Sequence, residues 1–304
     1  MPERAVRAPE EGPTIADALA AAARRLAASG ITDARREARA LWAAVADGAV
    51  TPGGVWLERD RAPAPDAARR FDEAVSRRAD GVPFAYAAGR IAFRTLNLAI
   101  DSRALIPRPE TEGLVDLVLR TLRTPNAGPR KPWGAIADIG TGSGCIALSL
   151  AVEGSLDRVI GVERAAAVAA LARENVARVR PAVPVEIREG DLLAPLAGER
   201  LRAIVSNPPY LTDTEYEDLE PAVRSWEPRD ALVSGPDGLD ATRRLLAGAR
   251  GLLEPGGFLA LEIDERRAAV ARALARAYHW TQVAVYDDLF GRPRYLLAGL
   301  EEDA

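Results

Sequence analysis

The chain has 304 residues, 48% of them apolar, enough to bury a core in one large or two modest domains. Its 40 basic and 44 acidic side chains leave a net charge of −4, and residues 1–80 carry 13 arginines against 13 carboxylates, so neither the whole chain nor its front is the basic surface that coats nucleic acid. Cys145 is the only cysteine and His279 the only histidine, which excludes an internal disulfide framework and argues against a Cys/His zinc site or a histidine-based triad.

No apolar run approaches the roughly 20 residues needed to cross a bilayer. The N-terminus lacks the charged-then-apolar layout of a signal peptide, and Glu3, Glu10 and Glu11 are foreign to an acid-poor transit peptide. A cytoplasmic enzyme without membrane attachment or bound metal is expected. Lys131 is the only lysine, a mark of composition bias.

In chain order, residues 14–28 predict an alanine-rich helix with Ile15, Leu19 and Leu26 on one stripe, and 32–46 a second with Ala38, Leu41, Trp42 and Val45 at helical spacing. Residues 51–54 are a Pro-Gly break, and 65–79 a third helix with Phe71 and Val75 inward and Arg69, Arg70, Arg77 and Arg78 on a solvated face. At 89–101 the period changes to two, with Leu96, Leu98 and Ile100 on one side, which predicts a hairpin joining two domains. Pro107-Arg108-Pro109 is a rigid turn, 111–121 a helix, and 124–132 a loop.

From Gly134 strands and helices alternate. Strands are predicted at 135–139, 158–162, 183–187, 201–205 and 258–263, helices at 145–152, 165–179, 239–253 and 266–278, and closing strands at 281–286 and 294–300. His279 falls in an apolar, strand-like stretch and reads as a packed or surface residue. Such alternation gives an α/β fold with right-handed crossovers and a mainly parallel sheet covered on both faces. Ligands on such sheets bind beyond the carboxyl ends of the strands, where the strand order reverses.

Four groups of residues sit at those ends. Asp138-Ile139-Gly140-Thr141-Gly142-Ser143-Gly144 follows the first strand of the alternating region, and its glycines allow a tight turn and a close approach of ligand to backbone. It is not the G-x-G-x-x-G of a dinucleotide site, because Cys145 stands at the third glycine position. Asp138 ahead of the glycines would repel a pyrophosphate but can accept from an ammonium group or from ligand-ordering backbone amides. That favours a zwitterionic amino-acid ligand. Glu163 ends the next strand and suits ribose hydroxyls. Asp191-Leu192 follows the third and offers an acid and an apolar face to an adenine.

The fourth and most specific group is Ser206-Asn207-Pro208-Pro209-Tyr210. Two prolines fix the backbone, remove two amide donors and leave carbonyls free. A planar –NH2 can give one proton to Asn207 and one to the Pro208 carbonyl, with Tyr210 stacked on its plane. Such a nitrogen is a poor nucleophile because its lone pair is delocalised. Holding both protons aims the lone pair at a methyl donor and stabilises the charge that develops.

With these residues the chain resembles the release-factor glutamine N5-methyltransferases from about Arg77 to Leu300. The resemblance runs through Ile106-Pro107-Arg108-Pro109-Glu110-Thr111-Glu112, the glycine loop, Asn207 to Tyr210, Trp226-Glu227-Pro228, Ala231-Leu232, Leu261-Glu262-Ile263 and Asp288-Leu289-Phe290-Gly291-Arg292. Asn-Pro-Pro-Tyr alone also occurs in DNA adenine methyltransferases; the run from Ile106 to Glu112 is similar to the release-factor branch. Glu163 stands for the commoner aspartate, Asp264 for a usual glycine, and Phe93 to Leu96 lacks the usual Trp-Gly pair.

The resemblance implies a helical substrate-recognition domain over 1–88, a hairpin linker over 89–105 and a seven-stranded Rossmann-like class I methyltransferase domain over 106–304 whose last strand is antiparallel. It implies methyl transfer from S-adenosyl-L-methionine, leaving S-adenosyl-L-homocysteine, to the glutamine N5 of the GGQ motif of peptide chain release factors. Gly140, Thr141, Gly142, Ser143 and Gly144 would then carry the cofactor's amino-acid end with Asp138, Glu163 its ribose, and Asp191 and Leu192 its adenine. Asn207, Pro208, Pro209 and Tyr210 would hold the amide, Asn207 next to the cofactor. Two rivals stay open: a nucleic-acid adenine N6-methyltransferase, which needs a flipped base and a basic groove, and a non-catalytic cofactor-binding factor.

Overall fold

Thr14 starts the first helix because its side chain accepts from the Asp17 amide at 3.2 Å while the Thr14 amide donates to Asp17 at 2.9 Å, a reciprocal cap that satisfies two otherwise free donors. The structure, a computed structural model, describes residues 13–46, 53–123 and 132–301. The loop at 124–132 therefore lies almost wholly outside the described residues, with Lys131, and so do Glu3, Glu10, Glu11 and the first half of the 51–54 break.

The chain divides into two units, Met1–Arg90 and Ile91–Ala304. In the first, α1 (Ile15–Ala28), α2 (Ala34–Val45), α3 (Val55–Glu58), α4 (Pro65–Ala79) and α5 (Phe84–Ala88) pack around Leu26, Leu41, Trp42, Phe71, Val75 and Tyr86. Trp42 and Phe71 meet edge to face at 5.1 Å. The short helices α3 and α5 have too few residues to show a period. The arginine face of α4 needs correcting. Arg69 and Arg77 are exposed, but Arg70 donates to the Val45 carbonyl at 3.0 Å and Arg78 pairs with Glu37 at 2.8 Å. The long stems reach back along the helix to free carbonyls and a carboxylate, so two of the four arginines tie helices together.

In the second unit the hairpin of β1 (Arg90–Phe93) and β2 (Leu96–Ala99) buries Leu96, Leu98 and Ile100, as their alternation predicts. Next come α6 (Pro109–Arg123), β3 (Ala135–Ile139), α7 (Cys145–Glu153), β4 (Arg158–Glu163), α8 (Ala166–Val179), β5 (Val185–Glu189) and β6 (Leu201–Ser206). The chain continues through α9 (Asp213–Glu217), α10 (Pro221–Trp226), α11 (Asp240–Gly248), β7 (Leu253–Glu262), α12 (Ala268–Ala277), β8 (Gln282–Asp287) and β9 (Pro293–Gly299). The seven strands β3–β9 form one sheet in the order β5-β4-β3-β6-β7-β9-β8. Only β9, the last, runs antiparallel, against β7 and β8. One core packs α6 and α7 on one face of the sheet; the other gathers α11 and α12 on the opposite face.

Most boundaries shift by a few residues, the helix read at 239–253 ends at Gly248, and three differences have a clear physical cause. β5 starts at Val185 because Pro184 has no amide to give; its carbonyl still accepts from Val159 at 2.9 Å. β7 starts at Leu253, before its Pro-Gly-Gly, because Leu253 already pairs with Leu201 and the irregularity is absorbed as a register shift. His279 is not in a strand. It lies exposed in the turn after α12 with φ 63°, and the buried apolar role belongs to Trp280.

Candidate active site

The sheet topology sets the site. Successive crossovers carry the chain from β3 outward to β4 and β5, and the next strand, β6, lies on the other side of β3. The crevice therefore opens above the carboxyl ends of β3 and β6. Ile139 is paired with Val162 on one side and Ser206 on the other. Gly140, Glu163 and Asn207 each come one residue later, so three of the four sequence-predicted groups converge on one edge.

The glycine loop turns back over β3. Gly140, Gly142 and Gly144 have φ of 69°, 57° and 83°, a region in which a side chain would be strained. The amides of Gly140 and Thr141 both donate to the Val162 carbonyl, at 2.8 and 3.0 Å. Gly140 is exposed, and a Cβ on it would meet nothing within 4 Å, so the loop presents bare backbone to open space. Glu163 is half-buried and accepts from the Gly142 amide at 3.2 Å and the Ala165 amide at 3.0 Å. A carboxylate offers about four lone-pair sites, so acceptor capacity remains.

Asp138 is fully buried beneath this loop. It accepts from Thr141 Oγ1 at 2.6 Å and from the Ala147 amide, a free donor of the first turn of α7, at 3.1 Å. Of the donors the sequence suggested for Asp138, the structure shows one backbone amide, that of Ala147. The other Asp138 oxygen, Oδ1, has no partner, and neither has Ser143 Oγ. Burial pushes the Asp138 carboxyl up to about 7 against the pull of those two bonds. Burial likewise pushes the Cys145 thiol up to about 12, which disfavours the thiolate, and the side chain packs in the first core.

Asp191 and Leu192 lie past β5, in line with Glu163. Asp191 is paired with Arg244 at 2.5 Å, while Leu192 is half-buried against the second core at φ 49°. The Arg244 contact was not legible from local sequence, since the partner is 53 residues away.

At the end of β6, Ser206 donates to the Ile139 carbonyl at 2.7 Å and so ties β6 to the glycine-loop strand β3. Asn207 is half-buried, Pro208 buried, and Pro209 and Tyr210 half-buried. The Tyr210 and Leu211 amides both donate to the Leu232 carbonyl, and Ser234 donates to Leu211, so the excursion at 211–234 is closed at its base. Burial pushes the Tyr210 phenol up to about 12, which keeps it neutral. The acids of that excursion are partly used internally: Glu215 pairs with Arg266 and Arg267, and Asp213 with Arg229, leaving Glu217, Asp218 and Glu220 exposed.

Sequence reasoning missed the partners behind Asn207. Its Nδ2 donates to Thr111 Oγ1 at 3.0 Å, and Thr111 in turn donates to Glu262 Oε2 at 2.8 Å. Burial pushes Glu262 up to about 7, opposed by the Thr111 bond and the Arg294 charge. The signal was present: a glutamate between Leu261 and Ile263 in an apolar strand must find a buried partner. A second missed link joins the segment before α6 to the 211–234 excursion. Arg108 Nη2 donates to Glu227 Oε1 at 2.6 Å, and the Ile106 amide donates to Glu227 Oε2 at 3.2 Å. Among the described residues no group of three or more His, Cys, Asp or Glu side chains is gathered to hold a metal.

Comparison with known proteins bears on the whole chain. A release factor glutamine methyltransferase of Moorella thermoacetica is 42% identical over 95% of this chain and 100% of its own length. The chain belongs to the release factor glutamine methyltransferase family. A second member, from Cereibacter sphaeroides, is 39% identical over 94% of this chain and 98% of that one. The profile of the PrmC N-terminal domain matches residues 17–89, and that of the methyltransferase small domain matches residues 116–221. The crystal structure of a methyltransferase from Pyrococcus furiosus shares the fold, with TM-score 0.51 and 20% identity over 70% of this chain and 92% of that one. The enzyme is thus a methyltransferase with the family's N-terminal domain, and no helix among the described residues is long and apolar enough to cross a membrane.

Proposed function

We propose that the enzyme moves a methyl group from S-adenosyl-L-methionine to the side-chain N5 of the glutamine in the GGQ motif of peptide chain release factors. The observation that carries this reading is the convergence of Asn207 and Pro208 with the bare backbone of Gly140, at the switch of strand order, in a chain of this family. The residues fit the cofactor. Gly140 leaves room where a Cβ would intrude, Asp138 Oδ1 and Ser143 Oγ are unpartnered, and Glu163 keeps lone pairs for ribose hydroxyls.

When bound, the cofactor supplies an electrophilic methyl group on a sulfonium. Gly140, Thr141, Gly142, Ser143 and Gly144 hold its amino-acid end over Asp138; Glu163 takes the ribose, and Asp191 and Leu192 the adenine. Asn207 and the Pro208 carbonyl accept the two amide protons, so the nitrogen lone pair faces the methyl carbon. Tyr210 covers the amide plane and keeps water from it. Loss of the methyl would leave the cofactor as S-adenosyl-L-homocysteine, and the positive charge gained by the substrate nitrogen would face the two acceptor oxygens of Asn207 and Pro208. The surplus N–H proton would then pass to water, giving the neutral N5-methyl amide.

Recognition of a folded protein needs surface beyond a pocket. In the N-terminal unit, a groove of about 960 Å³ is lined by alanines of α1, by Trp56 and by Arg24, Arg35, Arg39 and Arg59, with Asp33 among them. That unit, over 1–88, and the excursion at 211–234 are the surfaces assigned to release factor.

Two measurements test the reading. Purified enzyme with radiolabelled cofactor is expected to label release factor and leave duplex DNA unlabelled. Label on the DNA would favour the adenine N6 rival, and label on neither the non-catalytic one. Glu163→Ala is expected to weaken cofactor binding by about 1.5–3 kcal/mol, the worth of a hydrogen bond to a charged group, with little change in melting temperature. Unchanged affinity by titration calorimetry would remove Glu163 from the site.

A further inference from the structure

Asn207 has two chemically different ends, and only its oxygen serves the chemistry proposed above. An asparagine amide turns about its last bond at little steric cost, so something must decide which end faces the substrate. We infer that Thr111 and Glu262 are positioning residues that fix Asn207 with Oδ1 toward the substrate nitrogen and Nδ2 toward the protein, an inference that rests on the methyl-transfer reading.

The protons available at Thr111 and Glu262 decide the orientation. Above about pH 7, where Glu262 is ionised, it only accepts, and the Thr111 hydroxyl has a single proton, which it donates to Glu262 Oε2 at 2.8 Å. Toward Asn207, Thr111 therefore offers lone pairs alone. The atom 3.0 Å away must be a donor, which is Nδ2. Turning the amide over would set Oδ1 against Thr111 Oγ1, two acceptors with no proton between them. Thr111 is 2% exposed and Glu262 1%, so water does not reach in to relieve that mismatch.

The three residues come from the first turn of α6, the end of β7 and the residue after β6. The arrangement gives a purpose to a carboxylate that is otherwise costly to bury in an apolar strand. It also accounts for the threonine of the run from Ile106 to Glu112, whose hydroxyl is used between Glu262 and Asn207. The polarity of the whole chain of bonds, from carboxylate to hydroxyl to amide, is set at its buried end and delivered at its open one.

The test separates orientation from fold. Thr111→Val keeps the shape and removes the hydroxyl; Thr111→Ser keeps the hydroxyl. With release factor at saturation, Thr111→Val is expected to lower kcat about 10- to 100-fold, with KM and cofactor affinity within about 3-fold of wild type, and Thr111→Ser to stay near wild type throughout. Adding Glu262→Gln to Thr111→Val is expected to cost little more, since both break the same chain. Wild-type kcat in Thr111→Val, a serine variant as impaired as the valine one, or multiplying losses in the double variant each overturn the inference.

A second readout does not depend on turnover. The side-chain amide protons of Asn207, followed by nitrogen-15 NMR, should exchange with solvent at least about 10-fold faster in Thr111→Val, because the buried acceptor is gone. Equal exchange rates overturn the positioning role even if release factor proves not to be the substrate. An inactive wild type with slow, Thr111-dependent exchange would sink the substrate reading and leave the positioning intact.

Discussion

Asn207→Ala is expected to lower single-turnover methylation of saturating release factor by on the order of 10²-fold or more, the usual loss when one positioned electrostatic group is removed. The variant takes away the acceptor for one amide proton, and the substrate nitrogen then keeps its lone pair in conjugation with its own carbonyl. It leaves the Gly140 loop and Glu163 in place, so cofactor affinity should fall far less than turnover. The fold should survive, because Asn207 is half-buried and the strand before it is held by Ser206 on the Ile139 carbonyl. Asn207→Asp is the sharper variant. It keeps an oxygen for the substrate but brings an acceptor against Thr111 Oγ1, which is already committed to Glu262. It should therefore retain some activity, yet less than its acceptor count suggests. Near-normal turnover in the alanine variant would sink the mechanism and leave only a generic methyltransferase.

The parts legible in the sequence were those set by short-range physics. α4 and β3 carry the predicted limits because proline opens the one and a run of apolar residues, interrupted only by Asp138 and bounded by glycines, defines the other. The convergence of Gly140, Glu163 and Asn207 was legible too, since each follows an apolar strand and parallel strands end on the same side. What stayed hidden was pairing over long separations. Thr111 and Glu262 are 151 positions apart and Arg108 and Glu227 are 119 apart, and no local period connects them. The arginine face of α4 failed for a related reason: helical spacing says which way a Cβ points, but a guanidinium on a long stem goes where an acceptor is free. Asp138 shows the middle case. Its place was read, but whether it served ligand or loop depended on the depth of the glycine turn above it.

The second large effect concerns Arg108 and Glu227, and it should be lopsided. Breaking a buried ion pair is costly mainly through the charge left behind. The Glu227 side chain is 2% exposed and that of Arg108 35%. Arg108→Ala strands a buried carboxylate whose only remaining partner of the two described is the Ile106 amide, and should destabilise the second unit by about 3–5 kcal/mol. Glu227→Ala leaves a guanidinium that water can reach and one unsatisfied amide, and should cost less, about 1–3 kcal/mol. Urea unfolding midpoints of the two variants at neutral pH give the comparison, and the opposite order would refute the account. The pair also joins the segment leading into α6, where Thr111 sits, to the excursion that begins at Tyr210. Both variants should therefore raise KM for release factor even where enough folded enzyme remains to measure it, while cofactor affinity, which the proposed site places at Gly140 and Glu163, stays close to wild type. A KM that does not move would mean that Glu227 anchors the excursion for stability alone, and that the substrate is gripped elsewhere.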